Sequence, residues 1–193
     1  MNDHLPRTTH LTSFSPDRVL DVGRKGDDRI VKLHSRLSGD GTDTRYATLS
    51  YCWGNANHLR LEAGTSKALE EGISAMELPR TMRQAVAVVR ELGLRFLWID
   101  SSCIIQDSVQ DWQEQSALMG SIYRHSHINL AASSSDSSDG GLVFDRDPQS
   151  VQPLQVTCRF PFNEFAKPSR LYKIIPGNPY LNSIEKAPLN SRG

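Results

Sequence analysis

Cysteine is scarce in this 193-residue chain, which holds three: Cys52, Cys103 and Cys158. An odd number at wide spacing is no disulfide framework, and without a C-x-x-C pair nothing suggests a zinc module. Reduced thiols in a cytosolic compartment are the simple reading. Net charge is lacking too, since 22 basic residues balance 22 acidic ones. That removes the long-range field by which a protein gathers DNA, RNA or an anionic membrane. No segment approaches the roughly 18 apolar residues of a spanning helix, and residues 1–10 carry no apolar stretch of the signal-peptide kind. Hydrophobic residues make up 38%, a little low for a globule, which places the core in the middle and looser ends around it. No internal repeat is present. The expectation is a soluble, cytoplasmic chain with one principal domain.

What is there is organised from the centre outward. Residues 1–43 read as a lead-in, with Arg29-Ile-Val-Lys-Leu33 as a possible edge strand before the turn-rich Ser38-Gly-Asp-Gly-Thr-Asp43. Residues 44–147 form the core domain. Tyr46-Ala-Thr-Leu-Ser-Tyr51 reads as a strand that runs into the turn Cys52-Trp53-Gly54-Asn55. Residues 55–77 are mixed, with a short helix possible around Ser66–Glu71. Leu78 to Leu92 is the clearest helix. Pro79 suits its first position, Met82, Ala85, Val86, Val89 and Leu92 make one apolar face, and Gly93 suits the left-handed residue past its end.

Arg95-Phe-Leu-Trp-Ile-Asp100 then reads as a buried strand. Ser108-Val-Gln-Asp111 resembles a helix-capping pattern, opening a helix from about Asp111 to Tyr123 with Trp112, Leu118, Met119, Ile122 and Tyr123 on its apolar side. His127 to Ser133 is a third strand, followed by a polar, glycine-ended loop from Ser133 to Gly141. Strand, helix, strand, helix, strand at this spacing predicts an α/β fold, a mainly parallel sheet flanked by crossover helices. Residues 148–193 read as an irregular C-terminal segment, with a strand possible over Gln152–Arg159 and a loop-like, proline-rich remainder.

In open α/β sheets, ligands bind in the crevice at the C-terminal ends of the strands. Asp100, with Ser101 beside it, stands at such an end, where a carboxylate suits ribose hydroxyls or, alternatively, orders its own turn by accepting backbone N–H bonds. Tyr51, Trp53 and Gly54 leave the first strand on the same predicted edge. Trp53 suits stacking on a flat ring and Gly54 a close backbone approach, or else a tryptophan capping the core and a glycine in a tight turn. These five residues form the candidate ligand pocket.

Other candidates are weaker. Cys103 lies three residues past Asp100, but its Cys103-Ile-Ile105 setting is apolar and suits an inert thiol. His125 and His127 lack acidic or cysteine partners at ligand spacing, so no metal site is expected. Glu114 fits a solvated helix face, Asp107 a helix entry, and the Ser133–Ser138 run a loop rather than a phosphate cradle. No residue is assigned a catalytic role and no cofactor is required.

Three blocks carry a family resemblance. They are Tyr46-Ala-Thr-Leu-Ser-Tyr-Cys-Trp-Gly54; Leu78-Pro-Arg-Thr with Leu92-Gly-Leu-Arg-Phe-Leu-Trp-Ile-Asp-Ser-Ser-Cys-Ile-Ile-Gln-Asp107; and Asp111-Trp112, Met119-Gly-Ser-Ile-Tyr-Arg124, Ile128-Asn-Leu-Ala-Ala132 and Gly141-Leu142. In order and spacing they resemble the fungal heterokaryon-incompatibility (HET) domain, over residues 46 to about 147. Two departures stand out. Ser102 replaces a bulky apolar residue, and the chain reaches Pro188-Leu-Asn-Ser-Arg-Gly193 without the Trp-x-x-Gln-Glu segment that usually follows, as a truncated domain would. The resemblance implies a cytoplasmic role in self/non-self recognition and programmed cell death. It implies protein partners or self-association, while the balanced charge and the lack of a spanning segment leave neither nucleic acid nor membrane as an expected partner. The domain also looks like a distant relative of the TIR domain, which makes the fold TIR-like and NAD a possible substrate. The glutamate of that chemistry would correspond to the Gln-Glu pair this chain lacks. The alternatives are a non-catalytic interaction module or an inactive fragment.

Overall fold

The computed structural model describes residues 14–26, 30–35, 43–54 and 59–144, together with the backbone of two strands at 154–158 and 170–174. The strands are β1 (Arg18–Asp21), β2 (Ile30–Ser35), β3 (Tyr46–Ser50), β4 (Ile73–Ser74), β5 (Phe96–Ile99), β6 (Ile128–Ala131), β7 (Leu154–Cys158) and β8 (Arg170–Ile174). The helices are α1 (Ser66–Glu71), α2 (Arg80–Glu91), α3 (Asp100–Cys103) and α4 (Val109–His125), with one 3-10 turn over Ala75–Glu77. Six strands form one sheet in the order β4-β2-β1-β5-β3-β6.

The α/β architecture agrees with the sequence reading, but a mainly parallel sheet needs correcting to a mixed one. β3 pairs in parallel with both β5 and β6. β1 pairs antiparallel with β5 and β2, and β4 antiparallel with β2. The reason is the length of the link between β1 and β2. It is too short for the crossover of about a dozen residues that a parallel return needs, so the chain doubles back through a turn containing Gly23 and Gly26, both at positive φ. β1 sits in the interior of the sheet, with Val19 and Leu20, and Val22 just past its end, fully buried. β2 lies between β1 and the two-residue β4, so the predicted edge strand has a neighbour on each side.

Hydrophobic burial explains the central layer. β3 is buried at Tyr46, Ala47, Thr48 and Leu49 in succession, and β5 along its whole length. A strand buried on both faces needs helices on both. The α2 helix presents Met82, Ala85, Val86 and Val89, as its spacing predicts, but Leu92 is exposed because it forms the C-cap rather than the last turn. Gly93 takes the expected left-handed conformation at φ 72°. Pro79 is the N-cap, one position before the predicted one.

α4 covers the other face. The Tyr46 hydroxyl donates to the Ile122 carbonyl at 2.6 Å, and Trp98 meets Tyr123 edge to face with ring centroids 5.7 Å apart. The expected apolar side of α4 is partly wrong. Trp112 and Leu118 are exposed, whereas Gln115 and Ile122 are buried. Polar contacts set the rotation of the helix. Arg18 donates to both Asp111 carboxylate oxygens at 2.6 Å and to the Cys103 carbonyl at 2.7 Å, while the Gln115 amide donates to Asp17 at 2.9 Å. These bonds turn the Asp111–Gln115–Ile122 stripe inward. Ser108 caps the helix by accepting the Asp111 N–H at 3.2 Å, as its motif predicts.

β7 and β8 form an antiparallel pair in register from Leu154 opposite Ile174 to Cys158 opposite Arg170. β7 coincides with the strand expected at 152–159, and β8 falls where a loop was expected. The rest of the predicted irregular segment, the turn at 38–42 and Asn55 lie outside the described residues. No helix among the described residues is long and apolar enough to cross a membrane.

Candidate functional site

The three parallel strands end level with one another, since Leu49 pairs with Ile99 and Ser50 with Ala131. The turn Tyr51–Gly54 after β3, the short α3 after β5 and the loop 132–141 after β6 therefore meet at one rim. Their side chains interlock. The Trp53 indole N–H points at the Asp100 carboxylate, with Nε1 3.3 and 3.2 Å from its two oxygens. The Tyr51 hydroxyl donates to Ser101 Oγ at 2.8 Å in a buried setting. Burial, reinforced by the negative charge of Asp100, pushes the Tyr51 phenol well above its ordinary range, so it stays a neutral donor. All five candidates, Tyr51, Trp53, Gly54, Asp100 and Ser101, stand within this cluster.

Asp100 also has a local structural role. One of its carboxylate oxygens accepts the Ser101 N–H at 2.7 Å, and its carbonyl accepts the Ile104 N–H at 3.0 Å and the Gln106 side-chain amide at 3.1 Å. Gly54 is required twice over. Its φ is +67°, and a Cβ there would lie 2.7 Å from Ser137 Cβ. The backbone of the 132–141 loop thus rests directly on the Tyr51–Gly54 turn, with the Ser138 N–H donating to the Trp53 carbonyl at 3.3 Å. The first turns of α2 hold the loop from its far side. The Thr81 N–H donates to the Ser138 carbonyl, the Gly141 N–H to Thr81 Oγ1, and the Leu142 N–H to Gln84 Oε1 at 2.6 Å.

Sequence reasoning missed Arg60. It lies in the mixed 55–77 stretch, which has no periodic pattern, and reaches the rim through long-range backbone bonds. The Leu61 N–H donates to the Ser101 carbonyl at 2.9 Å, and the Gln106 N–H to the Leu61 carbonyl at 2.8 Å. The Arg60 guanidinium carbon then stands 5.1 Å from the Trp53 ring centroid. No local signal in the chain marks this residue.

The remaining candidates stay apart from the rim's polar groups. Cys103 is 1% exposed, and burial pushes its thiol up to about 12, the state of an inert core thiol. His125 Nδ1 bonds the Ser121 carbonyl oxygen at 2.8 Å, and His127 is exposed. Among the described residues no group of three His, Cys, Asp or Glu side chains is placed to hold a metal ion. Glu114 is on the solvated face of α4, accepting from Gln110, and Asp107 accepts the Ala63 N–H rather than opening the helix. A cleft of about 420 Å³ lined by Asp21, Gly23, Arg24, Ile30, Lys32 and Arg95 lies at the opposite, N-terminal end of β5. The rim remains the better candidate, because there the ends of three parallel strands converge.

Fold and rim together define an α/β domain of the open-sheet kind, with its polar side chains gathered where adjacent parallel strands end. The model of the family described as heterokaryon incompatibility protein (HET) matches residues 46–193, more than half of the chain, and the chain belongs to that family. The family resemblance is thus borne out, and the match runs on past the residues 46 to about 147 over which the sequence blocks carry it. No curated protein and no solved structure matches the chain. Membership ties the chain to heterokaryon incompatibility.

Proposed function

We propose that the chain is a cytoplasmic effector of programmed cell death in fungal self/non-self recognition, and that its rim binds NAD or a related nucleotide and hydrolyses it at the nicotinamide–ribose bond. The observation that carries this reading is the meeting of Trp53 with Asp100. A half-buried aromatic ring and a carboxylate from the segments that follow two different strands share one edge of the sheet. The ring suits stacking on a base and the carboxylate suits hydrogen bonding to ribose hydroxyls. In the reaction, the bond between C1′ and the nicotinamide nitrogen breaks and its electron pair leaves with nicotinamide. Water adds to the oxocarbenium-like C1′ and loses a proton, giving ADP-ribose. Asp100 would orient the sugar and oppose the developing positive charge.

The test is incubation of the chain with NAD while nicotinamide release is followed by chromatography against a heat-denatured control. The reading expects release from a version extended through the Trp-x-x-Gln-Glu segment, little or none from the chain without it, and a loss of about tenfold or more when Asp100→Asn is made in the extended version, by analogy with the removal of one electrostatic stabilising group. No release from either version would leave the second reading, a non-catalytic module that acts through protein partners or self-association. The exposed Val109 and Trp112 on α4, at 75% and 55%, support that alternative, because large apolar side chains in water suit a docking face.

A further inference from the structure

We infer that Arg60 is the anion-recognising residue of the rim, taking a phosphate oxygen of the bound nucleotide on one side of Trp53 while Asp100 takes sugar hydroxyls on the other. In naming a nucleotide the inference rests on the preceding reading. In assigning Arg60 to an anion it rests on geometry alone.

Arg60 is held firmly at its backbone. Its carbonyl accepts the Thr65 hydroxyl at 2.5 Å, and the neighbouring Leu61 is bonded on both sides to the segment that follows β5. Its side chain lies over Trp53, yet its buried Nε has no hydrogen-bond partner among the described residues. A guanidinium is always charged and offers five N–H donors and no acceptor, so a buried N–H without an acceptor is costly. A ligand oxygen would relieve that cost.

Ser138 Oγ is also buried without a partner among the described residues, and Ser138 is the residue whose N–H bonds the Trp53 carbonyl. Among the described residues three buried side-chain polar atoms share this condition, the third being Arg90 Nη2. Two of the three therefore belong to residues in contact with Trp53. A guanidinium fork matches the several acceptor oxygens of a phosphate better than a single neutral carbonyl does.

Trp53 sorts the ligand. Arg60 is over its ring and Asp100 is at its indole nitrogen. An anion is attracted on the Arg60 side and repelled on the Asp100 side, where hydroxyl donors are favoured instead. A phosphate next to vicinal hydroxyls, as in a ribose phosphate, satisfies both at once.

The experiment is calorimetric titration of the full chain with ADP-ribose, adenosine and inorganic pyrophosphate, for the unaltered protein, Arg60→Gln and Arg60→Lys. Loss of a charge-assisted bond predicts ADP-ribose affinity about 10- to 100-fold weaker in Arg60→Gln, with adenosine affinity unchanged. Arg60→Lys keeps the charge and much of the stem but not the fork, so it falls between; it decides the question if Arg60→Gln does not fold. Natively melting variants that bind ADP-ribose as tightly as the parent overturn the inference. Pyrophosphate bound in an Arg60-dependent way, with neither ADP-ribose nor adenosine bound, supports the anion assignment and refutes the nucleotide reading. An unaltered protein that binds none of the three refutes both.

Discussion

Leu20 lies within the first 43 residues, outside the family match, and it is fully buried. It sits on β1 between Leu33 of β2 and Leu97 of β5, each directly opposite in the register. Replacing it with alanine removes one methine and two methyl carbons from the middle of a close-packed layer, and the surrounding strands cannot collapse into the gap without breaking their pairing. The cost of Leu→Ala at such a site is about 2–5 kcal/mol. For a chain of this size each kcal/mol lowers the melting temperature by about 2–4 °C, so a fall of roughly 4–20 °C is expected. The control is Ile30→Thr, at the 54% exposed first position of β2, where the β-branch is kept and the change should stay within about 0.5 kcal/mol. Thermal unfolding followed by circular dichroism reads both. A Leu20→Ala protein that melts within about 1 °C of the parent would show that β1 is an appendage and refute the claim that the segment before Thr44 completes the core.

Other consequences can be measured on the same footing. Arg18→Met leaves the Asp111 carboxylate, 14% exposed, without its cation and should cost about 3 kcal/mol; adding Asp111→Leu should return part of that loss, and a double variant less stable than the single would contradict it. Gly54→Ala forces alanine to φ +67° against Ser137 and should cost about 2 kcal/mol, with faster hydrogen exchange at the Ser138 amide; unchanged exchange would mean that the loop does not rest on this turn. Cys103 should resist alkylation in the folded chain at pH 8 and react only on unfolding, as peptide mapping by mass spectrometry would show. Burial tends to raise the Asp21 pKa, but bonds from Arg95 at 2.6 and 2.9 Å and from the Gly23 N–H outweigh it and lower the value. Its stabilising contribution is therefore full above the ordinary carboxylate value near 3.8 and lost as pH falls through the lower folded value; Asp21→Asn should flatten the acid limb of the stability curve below about pH 4, and an unchanged limb would refute the pairing.

The parts of the fold legible in the sequence are those whose signal is local. β3, β5 and α2 each carry enough apolar side chains at one period to be read without their neighbours, and the cap at Ser108 is a four-residue pattern. β1 was illegible because Val19, Leu20 and Val22 are too few to show a period and are flanked by Arg18 and Asp21, which look like surface residues. Both charges are satisfied by partners more than seventy residues away, Asp111 and Arg95. The same cause misled the reading of α4. Hydrophobicity alone would bury Trp112 and Leu118, but Asp17 and Arg18 meet Gln115 and Asp111, and a charge-assisted pair with little water access outweighs the burial of one aromatic face. The rim divides along the same line. Tyr51, Trp53 and Asp100 were legible because each ends a strand that the sequence already shows. Arg60 was not, because backbone bonds from Leu61 to Ser101 and Gln106 bring it there, and such bonds leave no mark on side-chain chemistry. It follows that a search of related chains for a basic residue should look not at a fixed distance from the tryptophan but at whichever position precedes the one bonded to the segment after β5.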